Sequence, residues 1–419
     1  MKRKIFTVCV AMLVIMISGC SGNLSKQYPD TIKISLENPS SFDREDETVI
    51  IPMDRIIKSH PDFNAEAFVV LKGREELASQ AADLDADGQL DAIIIQTDLS
   101  GNEVASLTVR YTKTGKILRN YAKRTQAELS HKFGGHFENR IYKGGDFKNV
   151  DYLKVPPEHT DHSFYIRYEG PGWESDKVGY RFYLDWRNAI DIFGKKRPGM
   201  VLQDVGLDGF DSYHEMSDWG MDILKVGESL GIGSLAMWVK GHAQRVAQTD
   251  SVICLIADNG PVYSQIRTKY YGWKVGAFKG NVISDLSITA GSRITCHDIE
   301  ISGNPPNLCT GIVKDKNAEM FVSSYPESEW QYMATWGRQS LADDDLGMAV
   351  LFKTQDLILT ADDKLSHVVV LQPTQGRLKY YFLAAWSKEP QGIQNQMDFL
   401  KYLDESVSRL NADIKVSIQ

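Results

Sequence analysis

The stretch Tyr213-His214-Glu215-Met216-Ser217-Asp218-Trp219-Gly220-Met221-Asp222-Ile223-Leu224-Lys225-Val226-Gly227 crowds titratable, aromatic and glycine residues together without a helical or strand period. Irregular segments of this kind carry binding and catalytic groups more often than core elements do. His214 is the natural proton acceptor in it, because imidazole titrates near neutrality; the bland alternative is a satisfied surface or core histidine. Tyr213 and His214 converge only if the backbone is a loop, since neighbours in a strand point to opposite faces. A second cluster, Gly170-Pro171-Gly172-Trp173-Glu174-Ser175-Asp176, precedes Tyr180-Arg181. Gly-Pro-Gly suits a tight turn that presents Trp173 and Glu174. An indole face with carboxylates and a guanidinium nearby is the chemistry of a sugar site: the ring packs on C–H groups and the polar groups bind hydroxyls. The alternative is Trp173 folded into the core. A third is Arg124-Thr125-Gln126-Ala127-Glu128, followed by His131, His136 and His159-Thr160-Asp161-His162. The His-x-x-His spacing has no clear third ligand nearby, so zinc is not expected.

One acidic loop points to a cation. Asp83, Asp85, Asp87, Gly88 and Asp91 lead into three isoleucines. Alternating carboxylates can converge on a hard cation, and the glycine permits the turn. An EF-hand needs Glu at the twelfth position, which is Ile94 here, so the reading is a structural Ca²⁺ turn at a strand entry; an Asp-rich solvated turn is the alternative. Gly227-Glu228-Ser229-Leu230-Gly231 matches a nucleophile elbow in letters only, because a glycine-broken, strand-like segment follows it instead of a helix. Neither a Walker loop nor a dinucleotide fingerprint is found.

The elements that must position these residues read as strands. Period-two patterning covers 64–72, 91–97, 104–111, 164–168, 178–186, 264–273, 348–353 and 379–386. In 178–185 one face carries Val178, Tyr180, Phe182 and Leu184, the other Gly179, Arg181, Tyr183 and Asp185. Ile393, Met397, Leu400, Leu403, Val407 and Leu410 recur at helical spacing, which predicts a C-terminal amphipathic helix. The expected fold is mainly β: one large antiparallel, supersandwich-like β-sandwich over 29–419, with a possible small N-terminal β unit at 29–120.

The N-terminus indicates export. Met1-Lys2-Arg3-Lys4, the apolar run Ile5 to Ile17 and Ser18-Gly19-Cys20 form a signal too short to span a bilayer. The small residues before Cys20 resemble a lipobox, which implies a signal at 1–19, lipidation of Cys20 and a flexible polar tether over 20–28. Without an acidic cluster beside Cys20, the expected place is the outer membrane facing the periplasm, with the cell surface as the alternative. The membrane is then a partner through the lipid only. A net charge of −8 argues against a nucleic-acid surface. Of the other mature cysteines, Cys254 reads as a buried free thiol, and Cys296 and Cys309 could pair across a hairpin.

Taken together, Arg124–Glu128, Gly170–Asp176 with Tyr180-Arg181, Tyr213-His214 with Asp218–Asp222 and Lys225–Gly227, the acidic loop and the closing strand Tyr380 to Trp386 resemble a family of secreted lipoproteins of polysaccharide-degrading bacteria, long labelled as a domain of unknown function. A branch of that family resembles an oligosaccharide dehydratase acting on the terminal glucuronate of ulvan fragments. The resemblance implies loss of water, or of a glycosidic leaving group, across C4–C5 of a uronate in an oligosaccharide. Such an elimination needs a cation to neutralise the carboxylate, a base for the C5 proton and an acid for the C4 oxygen. Arg181 or Arg124 would neutralise, His214 would be the base with His136 and His162 as rivals, and Tyr213 or Tyr180 the acid; Trp219, Trp173, Glu174 and Asp222 would position the ring. A non-catalytic glycan-binding lipoprotein is the competing reading, and a sugar epimerase or mutarotase the third.

Overall fold

In the computed structural model the described residues are 21–208, 212–323 and 327–419. A nine-stranded antiparallel sheet forms the backbone of the chain, in the order Tyr152–Lys154, Ser251–Asn259, Tyr263–Val275, Phe278–Thr289, Ile294–Ile301, Arg377–Trp386, Leu346–Lys353, Trp330–Gly337 and Ala318–Val322. Two five-stranded sheets share one continuous apolar core with it. The fold is therefore mainly β, a large antiparallel sandwich with a C-terminal helix, Gln396–Leu410. Phe399, Leu403 and Val407 seat that helix on Trp330, Tyr332 and Trp336 of the nine-stranded sheet, as the three–four spacing requires. None of the described helices is long and apolar enough to cross a membrane.

A second apolar core, from Ile32 to Tyr111, lies between a three-stranded sheet and a five-stranded one. The latter is completed by the C-terminal strand Lys415–Ile418, which pairs with Asp30–Glu37. Local periodicity carries no information about that pairing of the two chain ends. This unit docks on the sandwich through Gln80, whose amide oxygen accepts from Val262 N (3.0 Å) and Tyr263 N (3.0 Å) and whose Nε2 donates to Asp258 (2.8 Å).

Several expectations are corrected. Residues 164–168 are not a strand: Arg167–Glu169 is a 3-10 turn, and Phe164 and Tyr168 have φ of 56° and 37°. Residues Ser21–Gln27 are helical, where a flexible tether was expected, and Tyr28 is buried. Cys296 and Cys309 are not paired; they lie on different sheets. The signal segment 1–19 and Cys20 lie outside the described residues.

The smaller sheet that matters most runs Gly220–Asp222, Ile190–Lys195, Gly179–Phe182, Gly172–Ser175 and Thr125–Glu128. Pleat alternation gives it two unlike faces. One enters the main core: Trp173 is paired with Tyr180 and stacks on it at 5.6 Å, and Tyr180 meets Phe382 edge-on at 5.5 Å. The other face carries charged groups, and Tyr168, Val201, Leu202, Val205, Tyr213 and Trp219 pack over it around Phe193, so both faces are buried.

Candidate functional site

Arg181 is the centre of the charged face. Its Nη2 donates to Asp222 Oδ2 (2.7 Å) and Asp191 Oδ2 (2.8 Å), and its Nη1 to Tyr213 Oη (2.7 Å) and to the Tyr168 carbonyl (3.1 Å). Tyr183 Oη donates to Asp191 at 2.8 Å. All of these groups are buried. Two carboxylates against one guanidinium away from water cannot both ionise cheaply. Accordingly, burial and then Asp191 push the Asp222 carboxyl well above the usual carboxylate range, with Arg181 opposing.

His214 joins this buried cluster to the surface. Its Nδ1 lies 3.4 Å from Asp222 Oδ2, and its side chain is 39% exposed where that of Asp222 is 1%. The Tyr213 ring packs on the imidazole at 4.6 Å, and Trp219 is half-buried against Phe193 at 5.9 Å. Nδ1 is turned to Asp222, and Nε2 is the second titratable nitrogen of the ring. A positive charge arriving on the ring meets a buried carboxyl whose ionisation it favours.

A cavity of about 180 Å³ opens beside this cluster, lined among others by Lys132, Phe147, His162, Phe164, Tyr168 and Glu169. Gly206 forms part of its wall, with φ +71°; a Cβ there would lie 3.3 Å from the Tyr168 ring and 3.4 Å from the Tyr213 ring. Tyr168 thus belongs both to the cavity lining and, through its carbonyl, to the Arg181 cluster, and Gly206 lies against the Tyr213 ring. His162, Phe164, Tyr168 and Glu169 all have positive φ, a concentration of backbone strain in non-glycine residues that marks functional loops more than passive ones. Arg187 pins this loop by bonding Asp161 (2.8 Å) and Glu169 (2.9 Å). Burial works to raise the Glu169 carboxyl, but Arg181 and Arg187 outweigh it and hold it low.

The other sequence-based candidates are placed elsewhere. Trp173 is not exposed to a sugar: it is wholly buried, with Nε1 donating to Thr295 (2.9 Å). Tyr180 is no acid at a surface, since its hydroxyl donates to the Arg293 carbonyl and accepts from Ala384 N. Glu174 pairs with Lys195 at 2.6 Å, both buried, and accepts from Val201 N and Leu202 N, which fixes the start of the covering loop. Arg124 bridges Asp46 of the N-terminal unit and Asp176 of the sandwich, each at 2.6 Å. Arg181 is already saturated by protein carboxylates, so it does not reach a ligand directly. Tyr213 is buried too, and supports His214 instead of touching solvent. His136 is exposed on a short hairpin away from the Arg181 cluster; His162 is the histidine in the cavity lining, and His214 lies outside that lining, on the Asp222 side. Arg181, Tyr213, His214 and Asp222, with Trp219 at the edge, are the candidates that the fold brings together.

Asp191, Glu169, Arg187 and Lys132 escaped the sequence reading. Asp191 had a signal, a lone carboxylate inside the apolar strand Ile190–Lys195; the others sit in irregular or short segments without one. Among the described residues two groups could hold a metal ion: Asp83, Asp85 and Asp91, and separately Asp161, His162 and Glu169. In the second, Arg187 already supplies the cation. In the first, Leu84 N donates to Asp91 (2.6 Å) and Gly88 N to Asp83 (2.7 Å), while Asp87 turns to Gln89 N (2.8 Å).

A curated relative, "Uncharacterized protein P7" of Formosa agariphila, is 23% identical over 448 residues, an alignment covering 100% of both chains. A solved structure of a glycosyl hydrolase family 38 protein from Enterococcus faecalis superposes with a TM-score of 0.42 at 8% identity, over 93% of this chain and 47% of that one. An alpha-mannosidase from Enterococcus faecalis V583 gives 0.36 at 9% identity, over 93% and 46%. The chain spans about half the length of these two structures, and at such scores neither likeness bears on chemistry. The model described as "Domain of unknown function (DUF4861)" matches residues 36–416, and the chain belongs to that family.

Proposed function

We propose that the chain is a carbohydrate-active enzyme that eliminates water, or a glycosidic leaving group, across C4–C5 of a uronate in an oligosaccharide. The observation that carries the reading is the His214–Asp222 pair at 3.4 Å, a solvent-reaching imidazole backed by a buried carboxyl, linked through Tyr213 and Gly206 to the wall of a ring-sized cavity. His214 Nε2 takes the C5 proton and Asp222 stabilises the imidazolium. Arg181 and Tyr213 hold Asp222 and the ring in place. His162, which lines the cavity with Nδ1 on Asp161 (2.5 Å), is the acid for the departing C4 oxygen. The bond from C4 to oxygen breaks as the C4–C5 double bond forms, so no oxidant or reductant is required. Replacing His214 with Gln tests this: turnover should vanish while the melting temperature holds, and a fully active variant overturns it.

The saturation of Arg181 and Arg124 by protein carboxylates favours a second reading, a lipoprotein that holds glycans in the same cavity without changing them. In either case the placement is a Cys20 lipid anchor at the outer membrane facing the periplasm, supported by residues 1–20 of the sequence. Ca²⁺ at Asp83, Asp85 and Asp91 has a structural role in this proposal. The loop they belong to reaches the nine-stranded sheet, where Gln265 Nε2 donates to the Leu84 carbonyl at 2.9 Å.

A further inference from the structure

An elimination at a uronate needs a cation on the substrate carboxylate, and neither arginine expected from the sequence supplies one. The arginines around the cavity are all engaged. Arg181 binds Asp191 and Asp222, Arg187 binds Asp161, Asp185 and Glu169, and Arg167 binds Glu128. Lys132 differs. It lines the cavity, it is half-buried, and among the described residues it belongs to no ion pair. Its ammonium lies 5.2 Å over the centre of the Phe147 ring, a contact that holds the charge without neutralising it.

The position is also fixed from the backbone. Lys132 lies opposite Phe147 in the pairing of Ser130–Phe133 with Asp146–Asn149. Its N–H donates to the Tyr165 carbonyl at 2.9 Å, which ties the strand to the strained loop of the cavity. Glu169, the buried carboxylate of the lining, is occupied by Arg187 and by the His162 N–H (2.9 Å). The remaining lining carboxylates, Asp146 and Asp208, are exposed, where water and salt screen them. The volume, about 180 Å³, compares with the roughly 150 Å³ that accommodates a benzene ring. One six-membered sugar ring is the size of ligand that fits.

We propose that this cavity is the acidic-sugar subsite, and that Lys132 binds the carboxylate of a single uronate ring lying between Phe147 and the 161–169 loop. The inference rests on the reading of the chain as a uronate-acting protein and names the group that recognises the acid. An ammonium hydrogen-bonded to the carboxylate would also withdraw charge from it, which acidifies the C5 proton that His214 removes.

The test is a calorimetric titration of the signal-less protein with a glucuronate-terminated disaccharide and with its methyl ester, which keeps the shape and removes the charge. The acid should bind about tenfold more tightly than the ester. In Lys132→Gln the two should bind alike, with the ester's affinity unchanged, and Lys132→Arg should restore part of the preference. A Lys132→Gln protein that keeps the preference overturns the assignment, as does a wild-type protein that does not distinguish acid from ester or binds neither. The two proposals fail separately: a Lys132-dependent preference without any product leaves the subsite standing and removes the elimination, whereas product formation with the preference intact in Lys132→Gln does the reverse.

Discussion

His214 and Asp222 form a pair in which one partner is open to solvent and the other is sealed: 3.4 Å separates Nδ1 from Oδ2, and side-chain exposure falls from 39% to 1% between them. In the proposed elimination the sealed carboxyl would act on a substrate only through the imidazole. Asp222→Asn keeps the shape and removes the ionisable group. Turnover should fall about 100-fold or more with little change in KM, because the loss concerns the charged state of His214 and not sugar binding. Steady-state kinetics of the variant check this. An equal loss in KM alone would place Asp222 in binding.

Arg181 holds the charged face together. Arg181→Met leaves Asp191 and Asp222 facing each other in a buried site, and breaking a buried ion pair from one side costs about 3–5 kcal/mol. Urea unfolding should show a loss of that order. Arg124→Ala is the contrast: its partners Asp46 and Asp176 are partly exposed, so the expected loss is about 1 kcal/mol or less.

Acid sensitivity should arise from two buried histidines. Burial drives His159 and His297 down to about 4, from 6.5. The unfolded chain binds these protons at higher pH than the folded one. Their contribution to stability is therefore complete above pH 6.5 and is lost as pH falls towards 4, with an upper size on the order of 3 kcal/mol each. Asp258, pushed up to about 7 mainly by burial, acts oppositely, its contribution fading as pH rises from 3.8 through 7. Replacing His297 with Gln should flatten the melting-temperature profile between pH 6.5 and 4. An unchanged slope would assign the acid sensitivity to other groups.

Ca²⁺ at Asp83, Asp85 and Asp91 would stabilise the folded chain by mass action. Added Ca²⁺ should raise the melting temperature of chelator-treated protein, and Asp85→Asn should abolish the rise. A melting temperature indifferent to Ca²⁺ would leave the loop a hydrogen-bonded turn.

How much of this could be read from sequence depended on the range of the interaction. The period-two pattern of 178–185 separated Tyr180 from Arg181 correctly, since alternation is local, and the C-terminal helix followed from spacing alone. What covers each face is not local. Arg181 looked available because Asp191 and Asp222 reach it through strand pairing, not proximity in sequence. Trp173 looked exposed because a Gly-Pro-Gly turn precedes it, yet its strand faces the nine-stranded sheet. Residues 164–168 of this loop read as a strand, because side-chain types do not reveal left-handed backbone in non-glycine residues. Lys132 carried no signal until its neighbours were in place.

The most direct measurement is to incubate the signal-less protein with glucuronate-terminated oligosaccharides and follow ultraviolet absorbance and mass together. The expected result is new absorbance from a C4–C5 double bond with the loss of one water, or with two fragments if the leaving group is a sugar, and neither with His214→Gln. Oligosaccharides that bind and shift the melting temperature while absorbance and mass stay constant would contradict the elimination and leave a glycan-binding protein.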